Sequence, residues 1–148
     1  LAEGLAPLPG ILIGVMDARR GQVYCGIFTV SGGVLTRLAP DRAMALSDLT
    51  DEVMRDYPGK TVYLAGDGYD IAYAAFRDAG CPGLAETPRA LRAQDAAAVA
   101  RCALRACRNG LTVTDDELRP VYLRLPQAER DLIEKGKENS KEHHHDET

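Results

Sequence analysis

Two carboxylates set the limits of the chemistry this sequence could perform. Asp17 closes an apolar run that begins at Ile11, and Asp67 closes a second such run between Gly66 and Gly68. Hard divalent cations take oxygen ligands, so two aspartates brought side by side, with Glu52 as a third group, would suit a metal-dependent nuclease or phosphotransferase. Aspartate is equally a turn residue, and both positions read as turns without any ion. Gly66-Asp67-Gly68 also invites a phosphate cradle, yet Ile71 stands where a G-x-G-x-x-G motif needs its third glycine. Arg19 and Arg20, in the turn after the first run, could hold an anion or a partner's carboxylate in guanidinium forks, or form a solvated hairpin tip. The histidines His143, His144 and His145 sit together near the C-terminus, which leaves Ser31 and Ser47 without a base for nucleophilic catalysis. That triplet reads as adventitious metal binding or a tag, and the motifs imply neither a cofactor nor a resident metal.

The elements that position these residues follow from periodicity. Ile11, Leu12, Ile13, Val15 and Met16 form a nearly continuous apolar run, the pattern of a strand covered on both faces. Residues 22–30 are again β-branched and aromatic on both faces, so the two runs predict a central antiparallel hairpin. Ser31-Gly32-Gly33 is a second turn, and residues 34–38 predict a weaker third strand whose Thr36 and Arg37 suit a sheet edge. Leu46, Leu49, Val53 and Tyr57 recur at helical spacing, with Ser47 as the expected N-cap, Asp48 and Asp51 in the first turn, and Pro58-Gly59 as the stop. Residues 61–65 predict a strand. Residues 69–79 predict a helix with Ile71, Ala75, Phe76 and Ala79 on one face and Gly80 closing it. A short strand is expected at 83–87 and a helix at 94–109, the latter ending at Gly110. In that helix Ala96, Val99, Ala100, Ala103, Leu104 and Cys107 predict a packing stripe, and Arg101, Arg105 and Arg108 a solvated face. Residues 118–124 read as an extended surface segment, and 127–148 as a charged tail, a frayed helix passing into disorder.

A chain of 148 residues, 45 % of them hydrophobic, predicts one domain with a real core. Its net charge of −4 is concentrated in residues 127–148, which carry −3, and neither part has the basic surface of a nucleic-acid binder. Cys25, Cys81, Cys102 and Cys107 show no C-x-x-C spacing. Three of them sit in apolar surroundings, where a reduced thiol acts as a small hydrophobe, so a reducing, cytoplasmic setting is expected. No run approaches the roughly 18 apolar residues of a membrane span. The chain opens on Leu1 rather than methionine, and Leu1 to Ala6 read as the last turn of a longer helix, so the sequence reads as a fragment.

Three antiparallel strands followed by helix, strand, helix, strand and helix predict an α/β fold with a mixed sheet. That is the order of the ribonuclease H-like fold, the repeating lobe of the actin, Hsp70 and sugar-kinase superfamily. Within it, Val15-Met16-Asp17-Ala18-Arg19-Arg20-Gly21-Gln22-Val23-Tyr24 closely resembles the signature of the TsaB (YeaZ) family. Leu64-Ala65-Gly66-Asp67-Gly68 resembles that family's second glycine-flanked aspartate. Pro120-Val121-Tyr122-Leu123-Arg124 with Ala128-Glu129 resembles its C-terminal ending, and the helix carrying Ala96 to Ala100 fits between.

The resemblance implies a non-catalytic scaffold for making threonylcarbamoyladenosine on tRNA, working with the catalytic TsaD and the ATPase TsaE and touching tRNA only indirectly. It implies further that residues 1–126 are a C-terminal actin-like lobe, with 1–6 the remnant of an interlobe helix, and that an N-terminal lobe is missing. Asp17, Arg19, Arg20, Tyr24, Asp67, Tyr122 and Arg124 are then candidates for partner or structural contacts. For Tyr24 and Tyr122 the simpler expectation is rings buried in the sheet and its C-terminal cover. A third reading is a homodimerisation module, since a lone lobe could expose apolar surface.

Overall fold

The computed structural model describes residues 1–123, and the expected tail at 127–148, with His143, His144 and His145, lies outside them. Strand β1 (Ile11–Asp17) turns into β2 (Gln22–Ser31), and the two pair antiparallel from Ile11 opposite Thr29 to Asp17 opposite Val23. A two-glycine turn, with Gly32 and Gly33 both at positive φ, leads into β3 (Val34–Ala45) on the outer side of β2. Strand β4 (Val62–Ala65) lies parallel to β1 on its other side, so the sheet is mixed and ordered β3-β2-β1-β4. Of the helices, α1 (Ala2–Leu5) precedes β1, α2 (Leu46–Asp56) and α3 (Tyr69–Asp78) flank β4, and α4 (Ala96–Arg108) follows.

Alternation along the strands divides the core between two faces. Ile11, Ile13, Val15, Val23, Cys25, Ile27, Val62 and Leu64 point to one side, where Leu49 and Val53 of α2 and Tyr69, Ala72 and Phe76 of α3 cover them. Leu12 and Ala65 point to the other, against Leu5 of α1, with Phe28, Val30, Tyr63 and Leu91 around them. Both faces of β1 are covered, which is why its sequence lacks a polar alternation.

Several expectations need correction. β3 runs through Ala45 rather than stopping at Leu38, because an edge strand tolerates Pro40 and its pairing with β2 absorbs two register shifts near Ile27. Ser47 is not the cap of α2. Ala45 holds that position without a side-chain bond, and the Ser47 hydroxyl donates to Asp48 Oδ1 at 3.4 Å. Ile71 is 42 % exposed, and α3 instead buries Tyr69, Ala72 and Phe76, one turn-spaced stripe rotated from the expected one. The strand expected at 83–87 shrinks to a single parallel bridge between Leu84 and Val62.

The largest correction concerns α4. Its buried residue is Ala98, while Val99 is 65 % and Leu104 50 % exposed. Arg101, Arg105 and Arg108 are exposed as expected, while the guanidinium of Arg105 donates to Glu3 Oε1 at 2.6 Å and that of Arg101 lies 3.7 Å from the same oxygen, which ties the edge of the cationic face to α1. Its cap is Asp95, whose carboxylate accepts from the amides of Ala97 and Ala98. Cys102 and Cys107 are exposed, against the expectation of apolar surroundings, and all four thiols are free. No helix among the described residues is long and apolar enough to cross a membrane.

Candidate functional site: the strand-end corner

Parallel pairing of β1 and β4 places Asp17 and the Gly66-Asp67-Gly68 turn at one corner of the sheet. Ideal Cβ atoms explain both glycines. A side chain on Gly66, which sits at φ +126°, would run into the carbonyl of Val15, and one on Gly68 would come within 2.9 Å of Val15 Cγ1 and 3.2 Å of the Asp17 nitrogen. The glycines therefore permit close approach of two backbones, as glycine does wherever a Cβ would intrude. What resembled a phosphate cradle is a packing device.

The approach carries Asp67 onto β1, where Asp67 Oδ1 accepts a hydrogen bond from the Asp17 amide at 3.2 Å. Asp17 Oδ1 in turn accepts from the Arg19 amide at 2.7 Å. Each carboxylate thus holds the next stretch of backbone. Glu52 does not join them: it pairs with Arg42 of β3 at 2.5 Å. Among the described residues no three His, Cys, Asp or Glu side chains are grouped so as to hold an ion.

The hairpin beyond Asp17 is tightly held. Ala18 donates to the Gln22 carbonyl at 3.0 Å, Gln22 to Arg19 at 3.1 Å, and Leu46 to Gly21 at 3.0 Å. To make the turn, Arg19, Arg20 and Gly21 all take positive φ, at 66°, 55° and 70°. The left-handed region costs a non-glycine residue about 1–2 kcal/mol. The return is small: the Arg19 guanidinium, 87 % exposed, stands 3.6 Å from Asp17 Oδ2, and a surface pair of that kind contributes well under 1 kcal/mol as a rule. Arg20 is exposed and makes no side-chain bond among the described residues.

Beside this corner, at the C-terminal ends of β1 and β4, opens a cleft of about 1070 Å³ bordered by Met16, Asp67, Tyr69, Glu86, Arg89 and Arg92. The Arg92 guanidinium lies 4.2 Å over the Tyr69 ring, donates to the Thr87 carbonyl at 2.8 Å and pairs with Glu86 at 2.6 Å. Tyr69 stacks on Tyr73 at 5.4 Å. Burial raises the Tyr69 phenol above its ordinary pKa, with Arg92 opposing. Among the described residues this mixed-charge wall pairs no nucleophile with a base, and Arg92, Glu86 and Tyr69 are engaged with one another while Asp70 and Arg89 border the cleft beside them. Sequence reasoning missed Arg92 and Thr87. Thr87 fell inside the stretch read as a strand, and its hydroxyl takes over the strand's duty by accepting from Leu64 N at 3.2 Å and donating to Leu64 O at 2.7 Å.

The remaining candidates are dispersed. Tyr24 is half-buried on β2 and lines a second, smaller hollow of about 400 Å³ with Phe28 and Leu35. Tyr122 is 83 % exposed, so the expected burial of its ring fails, because residues 111–123 form no strand and lie on the surface. Arg124, Ala128 and Glu129 lie outside the described residues.

A small mixed-sheet α/β unit with a glycine-spaced, carboxylate-tied strand corner is the class that fold and site define. No protein-family model matches the chain. It is 33 % identical over 58 residues to the tRNA threonylcarbamoyladenosine biosynthesis protein TsaB of Bacillus subtilis (strain 168), a match covering 39 % of this chain and 25 % of that protein. Its fold matches that of an uncharacterized protein with similarity to peptidase YEAZ from Pseudomonas aeruginosa, at a TM-score of 0.60 and 21 % identity, over 84 % of this chain and 55 % of the other. The chain is TsaB/YeaZ-like, and it spans about a quarter of the one relative and about half of the other.

Proposed function

We propose that this chain serves as a non-catalytic scaffold in the synthesis of threonylcarbamoyladenosine on tRNA, acting beside homologues of TsaD and TsaE. The observation that carries the reading is the corner itself. Asp17 and Asp67, the two groups best suited to chemistry, are engaged by backbone amides in a way that stiffens a hairpin. The similarity to the Bacillus protein supplies the pathway. We read the sheet order as that of an actin-superfamily lobe of ribonuclease H-like type, on which the corner serves as architecture. The chain's acidic balance suits protein partners better than direct contact with phosphate, which rests largely on Lys and Arg.

The test is co-purification of the tagged chain with a purified TsaD homologue, with and without TsaE. Stable retention of TsaD, without any gain of hydrolytic activity by the chain alone, is the expected result. Failure to retain TsaD at micromolar concentrations would remove the scaffold reading. Magnesium-dependent cleavage of nucleic acid that disappears in Asp17→Asn would replace it with a metal-dependent nuclease.

A further inference from the structure

Helix α4 is held to the fold by charge more than by apolar packing. Among the helices and strands its principal neighbour is α1, and of its own residues Ala98 is buried and Ala106 half-buried while the rest are exposed. A hollow lies on each side of the seam. One, of about 400 Å³, separates Cys102 of α4 from Gly14, Tyr24 and Phe28 of the sheet, and the other, of about 510 Å³, is bounded by Asp95, Arg101, Pro7 and Leu91. Hydrophobic stabilisation scales with the apolar area removed from water, and little is removed here.

The clasp is Glu3. Its side chain is 9 % exposed, and Oε1 accepts from Arg105 at 2.6 Å with Arg101 at 3.7 Å, whereas Oε2 is buried with no hydrogen-bond partner among the described residues. A buried carboxylate is tolerated only while it is paired, and one with a bare oxygen recovers less of what leaving water costs it. The two ends of the helix differ. Upstream, the Gly66 amide donates to the Arg92 carbonyl at 2.7 Å and Asp95 caps the first turn. Downstream, Gly110 takes φ +68° and residues 111–123 are exposed. Segments with few buried contacts open locally, ahead of the fold as a whole. We propose that α4 is a flap, hinged at its N-terminal end and clasped by Glu3, whose release uncovers the Gly14 side of the sheet while the opposite face stays folded.

The experiment reads thiol reactivity in the full chain carrying Cys81→Ser, Cys102→Ser, Cys107→Ser and Ala98→Cys, which leaves one thiol under the flap and Cys25 in the core of the opposite face. The thiol of Ala98→Cys should react at least about tenfold faster than Cys25, and Arg105→Ala should quicken it about tenfold again, because Glu3 is then buried unpaired. Arg108→Ala is the control, at an exposed arginine with no side-chain bond among the described residues, and should change neither thiol. High salt should act as Arg105→Ala does. Hydrogen exchange of the unsubstituted chain and of Arg105→Ala alone covers the case in which a thiol at 98 disturbs the seam: amides of residues 99–108 should exchange ahead of those of β1, and faster in the variant. Reaction of both thiols at one rate, equal effects of Arg105→Ala and Arg108→Ala, or α4 amides as protected as those of β1 overturns the proposal. So does a rise at Cys25 that matches the rise at 98, which would mean that Arg105 stabilises the whole fold.

Discussion

Asp67 accepts the backbone amide of Asp17 at 3.2 Å, so an aspartate from one strand end fastens the backbone of its parallel neighbour. The two aspartates meet, as a metal site would require, but one faces the other's amide rather than its carboxylate. Their proximity is therefore evidence of stiffening before it is evidence of chemistry.

Removing the fastener should cost what an exposed charge-assisted bond is worth. Asp67→Ala is expected to lower unfolding stability by about 1 kcal/mol, and Asp67→Asn, which keeps an acceptor oxygen, by roughly half that or less. Urea titrations of the three proteins check it. Equal losses in both variants would mean that charge, and not the bond, matters.

The glycines of the corner should be less forgiving. Gly66→Ala drives a methyl group into the Val15 carbonyl at a φ of +126°, and a loss of more than about 3 kcal/mol is expected from overpacking and backbone strain together. Gly21→Ala, at φ +70° with open space around it, should lose only about 1–2 kcal/mol. Thermal melts of the pair separate close approach from φ alone.

Thr87 offers a test of the hydroxyl that replaces a strand. It is fully buried and bonds both the amide and the carbonyl of Leu64. Thr87→Val keeps the shape but leaves two backbone groups unpaired, at a cost of about 2–4 kcal/mol. Thr87→Ser should lose about 1 kcal/mol through its missing methyl. The same denaturant series reads both.

Cys25 makes the fold sensitive to alkali. Burial pushes its thiol up to about 11, against the lowering influence of Arg42. The neutral form is thus favoured in the folded state, while the unfolded thiol ionises near its ordinary value of 9.0. Stability from this group is complete below pH 9 and is lost as pH rises from about 9 to 11, by up to roughly 1.4 kcal/mol per unit. Melting temperatures across that window should fall more steeply in wild type than in Cys25→Ala. In native protein at pH 8, a thiol reagent should label Cys102 and Cys107 first and Cys25 only on unfolding.

The strands were legible because β1 and β2 are apolar on both faces, and because Gly32-Gly33 and Gly66 to Gly68 punctuate the chain where the backbone needs them. The end of β3 was not, since Pro40 reads as a stop and only edge placement makes it tolerable. The amphipathic pattern of α4 was visible, but not how little of its stripe would be covered: only Ala98 is buried, Val99 stays in solvent, and the half-exposed Arg105 reaches Glu3, far away in sequence. Of the corner, Asp17 and Asp67 could be named from sequence and their adjacency inferred. The direction of their hydrogen bond, and the left-handed turn at Arg19 and Arg20, depend on backbone geometry that composition does not encode.

Gly26 lies opposite Gly14 in the sheet, and a Cβ there would strike the Asp41 carboxylate and crowd Phe28 and Arg37. Asp41 is itself paired with Arg37, which lies 4.4 Å over the Phe28 ring. Four positions are therefore bound into one packing unit. A side chain at 26 would push the Asp41 carboxylate, the free end of an exposed side chain, away from Arg37, and so loosen the seat of Arg37 on Phe28. Substitutions at 26, 28, 37 and 41 should accordingly depend on one another, whereas Gly32 and Gly59, with nothing near their missing side chains, are held to glycine by their positive φ alone and independently of any neighbour.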